Sequence, residues 1–289
     1  LTVLPYPFVY HRPETLEAAF ELFDRFEDDA AFYAGGTELL LALKARVLRY
    51  GNLIDLKRIP GLSGVRIAGD HVVIGALSSH HQLSIDPILW QRLPAYATLS
   101  DNIANIRVRV AGTLGGNLCF AEPHADPPAM LAAMGASVIL RSGDAEREVG
   151  AGEFIESEFT TVKTDREIMT GIRIPLPPAG ARFVFKSFGH LERPAVSIAA
   201  GFIPSAGGGR FRLWAGAIAD RPLHLDEMEQ ALNEAGPAAF EDVLETMASN
   251  VAGELPASSD LHGSADYKQS LARTFICRCV RELMAEAAA

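Results

Sequence analysis

Ala111-Gly112-Thr113-Leu114-Gly115-Gly116-Asn117 is the stretch on which the reading of this chain turns. Three glycines in five positions, between the alternating run 106–110 and the apolar run 129–134, predict a sharp backbone turn free of obstructing side chains. Exposed N–H groups in such a bend form a concavity suited to phosphate, and the Thr113 hydroxyl and Asn117 amide add directed hydrogen bonds. A second polar corner follows at Ala121-Glu122-Pro123-His124-Ala125-Asp126-Pro127-Pro128. Together these residues read as half of a dinucleotide site.

The other half lies upstream. Residues 31–33 read as a strand entering Ala34-Gly35-Gly36-Thr37-Glu38, with a helical pattern over 39–49. Strand, glycine turn and helix is a phosphate-binding order, because the glycines let a ligand approach and the helix start offers unpaired N–H groups and partial positive charge. One such turn is weak alone. Two of them, with Asp126 closing the second, suit a long ligand with a diphosphate centre flanked by hydroxyls. Asp126 has two readings here, an acceptor for ribose or ribityl hydroxyls and a cap for the helix starting near Pro127. No Gly-x-Gly-x-x-Gly follows the first strand with an acidic residue about twenty positions on, which argues against a free-standing nicotinamide dehydrogenase.

Composition narrows the field further. At 289 residues, 48% apolar and 21% charged, the chain has material for two folded domains. A formal charge of −10 leaves no basic face for nucleic acid. No apolar run approaches the roughly 20 residues of a membrane span, and the opening Leu1-Thr2-Val3-Leu4-Pro5 lacks a signal-peptide pattern, so a cytoplasmic location is expected. Cys119, Cys277 and Cys279 are too few for a disulfide framework or a four-thiolate cluster, and the last two are expected to diverge on a helix. His80 and His81 would diverge on a strand and His124 has no partner ligand at helical spacing, so all three are read as solvated rather than metal-binding.

The remaining segments give a mixed pattern. Extended structure is expected over 6–12, 53–56, 71–76, 137–141 and 167–175, and helices over 16–26, 83–97, 129–135 and 152–159. Arg107 and Arg109 alternate along 106–110 as on a strand face, turned to pyrophosphate, to a partner's carboxylates or to solvent. The proline-rich segment 175–180 reads as a linker. Beyond it come three strands at 182–188, 195–202 and 211–219, with Gly207-Gly208-Gly209 as a hairpin, then helices at 225–234, 237–249 and 266–285.

Several motifs in this order resemble a known family. They are Tyr10-His11-Arg12-Pro13, Ala34-Gly35-Gly36-Thr37-Glu38-Leu39, Leu53-Ile54-Asp55-Leu56, Thr113-Leu114-Gly115-Gly116-Asn117, Ala125-Asp126-Pro127 and Ile172-Arg173-Ile174-Pro175. Past the linker, Phe185-Lys186, Glu192-Arg193-Pro194-Ala195-Val196 and Asp266-Tyr267-Lys268 continue the likeness. The chain resembles the FAD-binding medium subunits of molybdenum hydroxylases, the group that includes aerobic carbon monoxide dehydrogenase and xanthine dehydrogenase. It departs from them at Val110, where many members have Asn, and at Gly189-His190-Leu191, a stretch usually basic.

The resemblance implies an α+β fold, with a two-part FAD-binding domain of the PCMH/VAO-like type over 1–176. A smaller α+β domain of the carbon monoxide dehydrogenase flavoprotein type is expected over 180–289, with a three-stranded antiparallel sheet plus helices. By the same resemblance Tyr33, Ala34, Gly35, Gly36, Thr37, Glu38 and Leu39, with Thr113, Leu114, Gly115, Gly116 and Asn117, embrace the FAD diphosphate. Asp126 matches the hydroxyl-binding aspartate, and Ile103, Met169 and Lys186 fall near the flavin. A cation at Lys186 would stabilise anionic reduced flavin; its other reading is an exposed strand lysine.

The implied function is electron transfer. A large subunit with the molybdenum cofactor oxidises the substrate, a small subunit with two [2Fe–2S] clusters relays electrons, and FAD in this chain passes them to an external acceptor. Assembly as a dimer of heterotrimers is implied too. Two alternatives are a self-sufficient flavin oxidase or reductase, and a non-enzymatic assembly subunit with a decayed FAD site.

Overall fold

The computed structural model describes residues 6–190, 193–205, 208–236 and 238–285. Leu191, Glu192, Gly207 and Pro237, which fall in the motifs, hairpin and helix expected above, lie outside the described residues, as do positions 1–5 and 286–289.

The chain opens with a small parallel sheet. β1 (Val9–His11) and β2 (Ala30–Tyr33) both pair in parallel with β3 (Asn52–Asp55), which lies between them and is buried along its length. α1 (Leu16–Phe26) crosses between β1 and β2, started by the Thr15 hydroxyl accepting from Ala18 N at 3.1 Å and burying Leu16, Ala19 and Phe20. α2 (Leu39–Lys44) is shorter than the predicted 39–49, because Arg46 takes a left-handed φ of 62° that breaks the helix.

A second, antiparallel sheet follows. Its strands are β4 (Val65–Ala68), β5 (His71–Gly75), β6 (Ser137–Ser142), β7 (Ala145–Gly150) and β10 (Ile168–Pro175), in the order β4-β5-β10-β6-β7. Between β5 and β6 the chain winds through α3 (His80–Ser84), α4 (Pro87–Arg92), α5 (Pro94–Asn102), α6 (Ile106–Ala111), α7 (Leu114–Phe120) and α8 (Pro127–Ala133). These helices cover one sheet face, packing Leu89, Tyr96, Leu114 and Met130 against Val72, Ile74, Ile172 and Ile174. The two sheets form the two parts of the expected FAD-binding fold.

Three expectations are corrected here. The run 106–110 is helix α6, not strand: the Asn105 side chain accepts from Arg107 N and Val108 N at 3.0 and 3.2 Å, and this cap outweighs the strand-like alternation. Gly115 and Gly116 lie in the first turn of α7 rather than in a sharp bend, with Thr113 as the cap. The predicted helix 152–159 is only α9 (Ala151–Phe154); a hairpin of β8 (Ile155–Ser157) and β9 (Thr160–Thr161) then turns through Phe159 at φ 56°.

The last part carries four antiparallel strands, β11 (Arg182–His190), β12 (Arg193–Ser205), β13 (Gly208–Gly216) and β14 (Leu223–His224), where three were expected. β14 is two residues long, too short to show a period. α10 (Asp226–Glu234), α11 (Phe240–Glu254) and α12 (Ala265–Ala285) complete the chain. Side chains alternate across this sheet: Val184, Val196, Ile198 and Leu213 join a core with the helices, whereas Phe183, Phe185, Ala199 and Trp214 pack on the core of the preceding part. The sheet is thus covered on both faces, and α8 packs on β12 and β13.

Candidate functional site

The first glycine segment leaves β2 over a buried acid. Asp55, 1% exposed, accepts from Tyr10 OH at 2.6 Å and pairs with Lys57 Nζ at 2.6 Å. These donors hold its carboxyl below the usual range against the burial that raises it, while burial first and the Asp55 hydrogen bond second push the Tyr10 phenol up. Lys57 also donates to the Ala34 carbonyl at 2.9 Å and lies 4.1 Å over the Tyr33 ring. Gly36 turns at φ 72° beneath that ring. Among the described residues, the N–H groups of Gly35, Gly36, Thr37 and Glu38 donate to no acceptor in the chain, so this lip offers the free donors that an anion requires.

The second segment lies directly against the first. A methyl group on Gly35 would overlap the Ala111 carbonyl, and one on Gly112 would stand 3.4 Å from Thr37 Oγ1. Its N–H groups, contrary to expectation, are largely engaged: Leu114 N donates to Ser78 O at 3.0 Å, Gly115 N to Ala76 O at 2.7 Å and Gly116 N to Thr113 Oγ1 at 3.1 Å. The glycines serve close approach instead, since a methyl on Gly115 would lie 2.8 Å from Ala76 O. His80, expected to be solvated on a strand, is buried in α3 behind this segment and donates its backbone N–H to Gly112 O at 3.0 Å. Burial, reinforced by the Arg109 charge, lowers its imidazole pKa to about 4.

Two acceptors in this region lack partners. Asn117 Oδ1 and Asp126 Oδ1 are both shut off from solvent with no hydrogen-bond donor among the described residues. Asp126 stands at the start of α8 yet makes no capping bond, so its capping reading is not borne out. Burial pushes its carboxyl up to about 7. An orphaned carboxylate oxygen costs folding free energy unless a ligand supplies a donor. The ribityl and ribose hydroxyls of FAD are such donors, and the free N–H groups of the first lip suit its diphosphate, so the residues present fit this cofactor.

Residues from the last part of the chain reach the same place. Arg193 Nη1 lies 2.8 Å from Glu122 Oε2 and its Nη2 lies 3.4 Å from Glu38 Oε1. The neighbouring Pro194 carbonyl accepts from His124 Nδ1 at 2.8 Å, and His124 Nε2 faces Asp260, which is paired with the buried Lys268 at 2.5 Å. Glu122, Arg193 and Lys268 stand in the corner and motifs singled out in the sequence, and Lys57 follows another such motif, but no side-chain role was assigned to any of the four.

Ile103, Leu114 and Met169 are buried in the main core, and Leu39 opens α2 beside the first lip. The structure does not bring Lys186 to the others: it shares the β11 face of Val184 and pairs with Glu282 of α12 at 2.5 Å, while Phe185 faces the FAD-binding part. Arg109 braces the α5–α6 corner, donating to Ile103 O and Ala104 O at 3.0 and 3.1 Å, and Arg107 is exposed. Cys277 and Cys279 are buried, Cys119 half-buried.

Comparison with known proteins agrees with this geometry. The family described as the FAD binding domain in molybdopterin dehydrogenase matches residues 6–177, and the carbon monoxide dehydrogenase flavoprotein C-terminal domain matches 198–283. The carbon monoxide dehydrogenase medium chain of Afipia carboxidovorans is 30% identical over 99% of both chains. The glyceraldehyde dehydrogenase medium chain of Sulfolobus acidocaldarius is 29% identical over 96% of this chain and 99% of its own. In the solved structure of carbon monoxide dehydrogenase from Hydrogenophaga pseudoflava, a chain 30% identical superposes with a TM-score of 0.92, covering 98% of this chain and 99% of that one. With both family domains present in order over most of its length, the chain belongs to the FAD-binding medium subunits of molybdenum hydroxylases, a family of oxidoreductases.

Proposed function

We propose that this chain is the electron-transfer subunit of a heteromeric molybdenum hydroxylase, holding FAD between the lips 33–39 and 113–117. The observation that carries the reading is a pair of glycine segments in mutual contact, joined by an Asp126 Oδ1 that is shut off from solvent and has no donor among the described residues. Bound FAD supplies the exchange between single electrons from iron–sulfur centres and electron pairs delivered to an acceptor. The chain's own task is to bind and orient it: free N–H groups of Gly35 to Glu38 take the diphosphate, and Asn117 and Asp126 accept from its hydroxyls. A large molybdenum subunit and a small subunit with two [2Fe–2S] clusters complete the proposal, as do an external acceptor, a dimer of heterotrimers and a cytoplasmic setting. The domain division is placed in 175–180. Among the described residues, no helix is long and apolar enough to cross a membrane.

The relatives' names carry different substrates, carbon monoxide and glyceraldehyde, on similar medium chains. Substrate choice is accordingly assigned to the molybdenum subunit. The test is purification of the native complex with iron, molybdenum and flavin analysis. Flavin with both metals and two further chains supports the proposal. Flavin on a lone chain that turns over a small substrate favours a self-sufficient oxidase instead.

A further inference from the structure

We infer that Arg193 sets flavin affinity by neutralising two carboxylates, Glu38 from the first lip and Glu122 from the corner before Asp126. The inference rests on the flavin reading above and adds to it a positioning residue from the other part of the chain. Glu38 ends the first lip and makes no capping bond to α2; Glu122 lies in the corner that leads to Asp126, with its side chain 13% exposed. Arg193 spans them with one planar fork, Nη1 to Glu122 and Nη2 to Glu38. Among the described residues it is the one basic side chain within ion-pair distance of either acid. Lys57 is engaged by Asp55, and Lys268 by Asp260.

The electrostatic consequence is specific. A diphosphate brings two negative charges to a cleft that already holds two acids, in a chain of formal charge −10. Without Arg193 the two half-buried acids lose their cationic partner, and their repulsion of an anionic ligand is no longer offset. Removing one of those acids must then restore binding, an outcome that a purely structural brace does not give.

The experiment measures FAD dissociation constants by flavin fluorescence on the full chain, for wild type, Arg193→Gln and Arg193→Gln/Glu122→Gln, at low and physiological salt. The expected result is a dissociation constant raised about tenfold in Arg193→Gln, most at low salt, and largely restored in the double variant. Should Arg193→Gln not fold, Arg193→Lys keeps one pairing but not the fork, and the same restoration by Glu122→Gln is required of it. Unchanged affinity in the single variant, or no recovery in the double, overturns the inference. A wild-type chain that takes up no FAD overturns the flavin reading itself, so the two failures are distinguishable.

Discussion

Asp126 presents a shielded carboxyl oxygen without a donor among the described residues. With its carboxyl raised by burial to about 7, the folded chain binds this proton more tightly than the unfolded chain does. Its contribution to stability is therefore full below the ordinary aspartate value and lost as pH rises through about 7. Hydroxyl donors bond the ionised carboxylate more strongly than the neutral acid, so FAD and the proton would compete. FAD affinity is expected to rise about tenfold from about pH 6 to about pH 8 in fluorescence titrations. Asp126→Asn should bind about tenfold more weakly at the upper pH and show a flat profile. The sequence offered Asp126 as a candidate but left cap and acceptor open, because only its burial and missing capping bond separate them. Lys57 and Arg193 were illegible for another reason: their partners Ala34 and Glu38 lie 23 and 155 residues away.

Between elements, the site depends on how closely two backbones approach. Gly35→Ala places a methyl into the Ala111 carbonyl, so the lips must part. The expected outcome is about 2 kcal/mol lost in denaturant unfolding together with loss of FAD retention. Thr113→Val removes the hydroxyl that caps α7 and should cost about 1 kcal/mol, whereas Thr113→Ser should stay near wild type in the same measurement. The glycine segments were legible as elements, since glycine density marks close approach whatever the local conformation. Their surroundings were not. Ile106-Arg107-Val108-Arg109-Val110 has the alternation of a strand, and Asn105 and Thr113, both visible in the sequence, decide for helix only once their side chains bond the following N–H groups.

Across the whole molecule, the last sheet lies between its own helices and the FAD-binding part, so the corner 121–128 is braced from the far end of the chain. Lys268 on α12, 1% exposed, holds Asp260, and Asp260 faces His124 in the corner next to Asp126. Lys268→Met keeps the stem but strands the acid, and a loss of about 3 kcal/mol in thermal or denaturant unfolding is expected. The order of motifs made the architecture legible. Which face of β11 meets which neighbour was not legible, because alternate residues such as Phe185 and Lys186 can be exchanged between faces by a one-residue shift in register.

The central claim is that this chain holds FAD between its two glycine lips. The direct measurement is the absorbance spectrum of the full chain after incubation with FAD and gel filtration, beside Asp126→Ala treated alike. The account predicts flavin bands at one FAD per wild-type chain and little retained by the variant. A colourless wild-type chain, or equal retention by both, would contradict it.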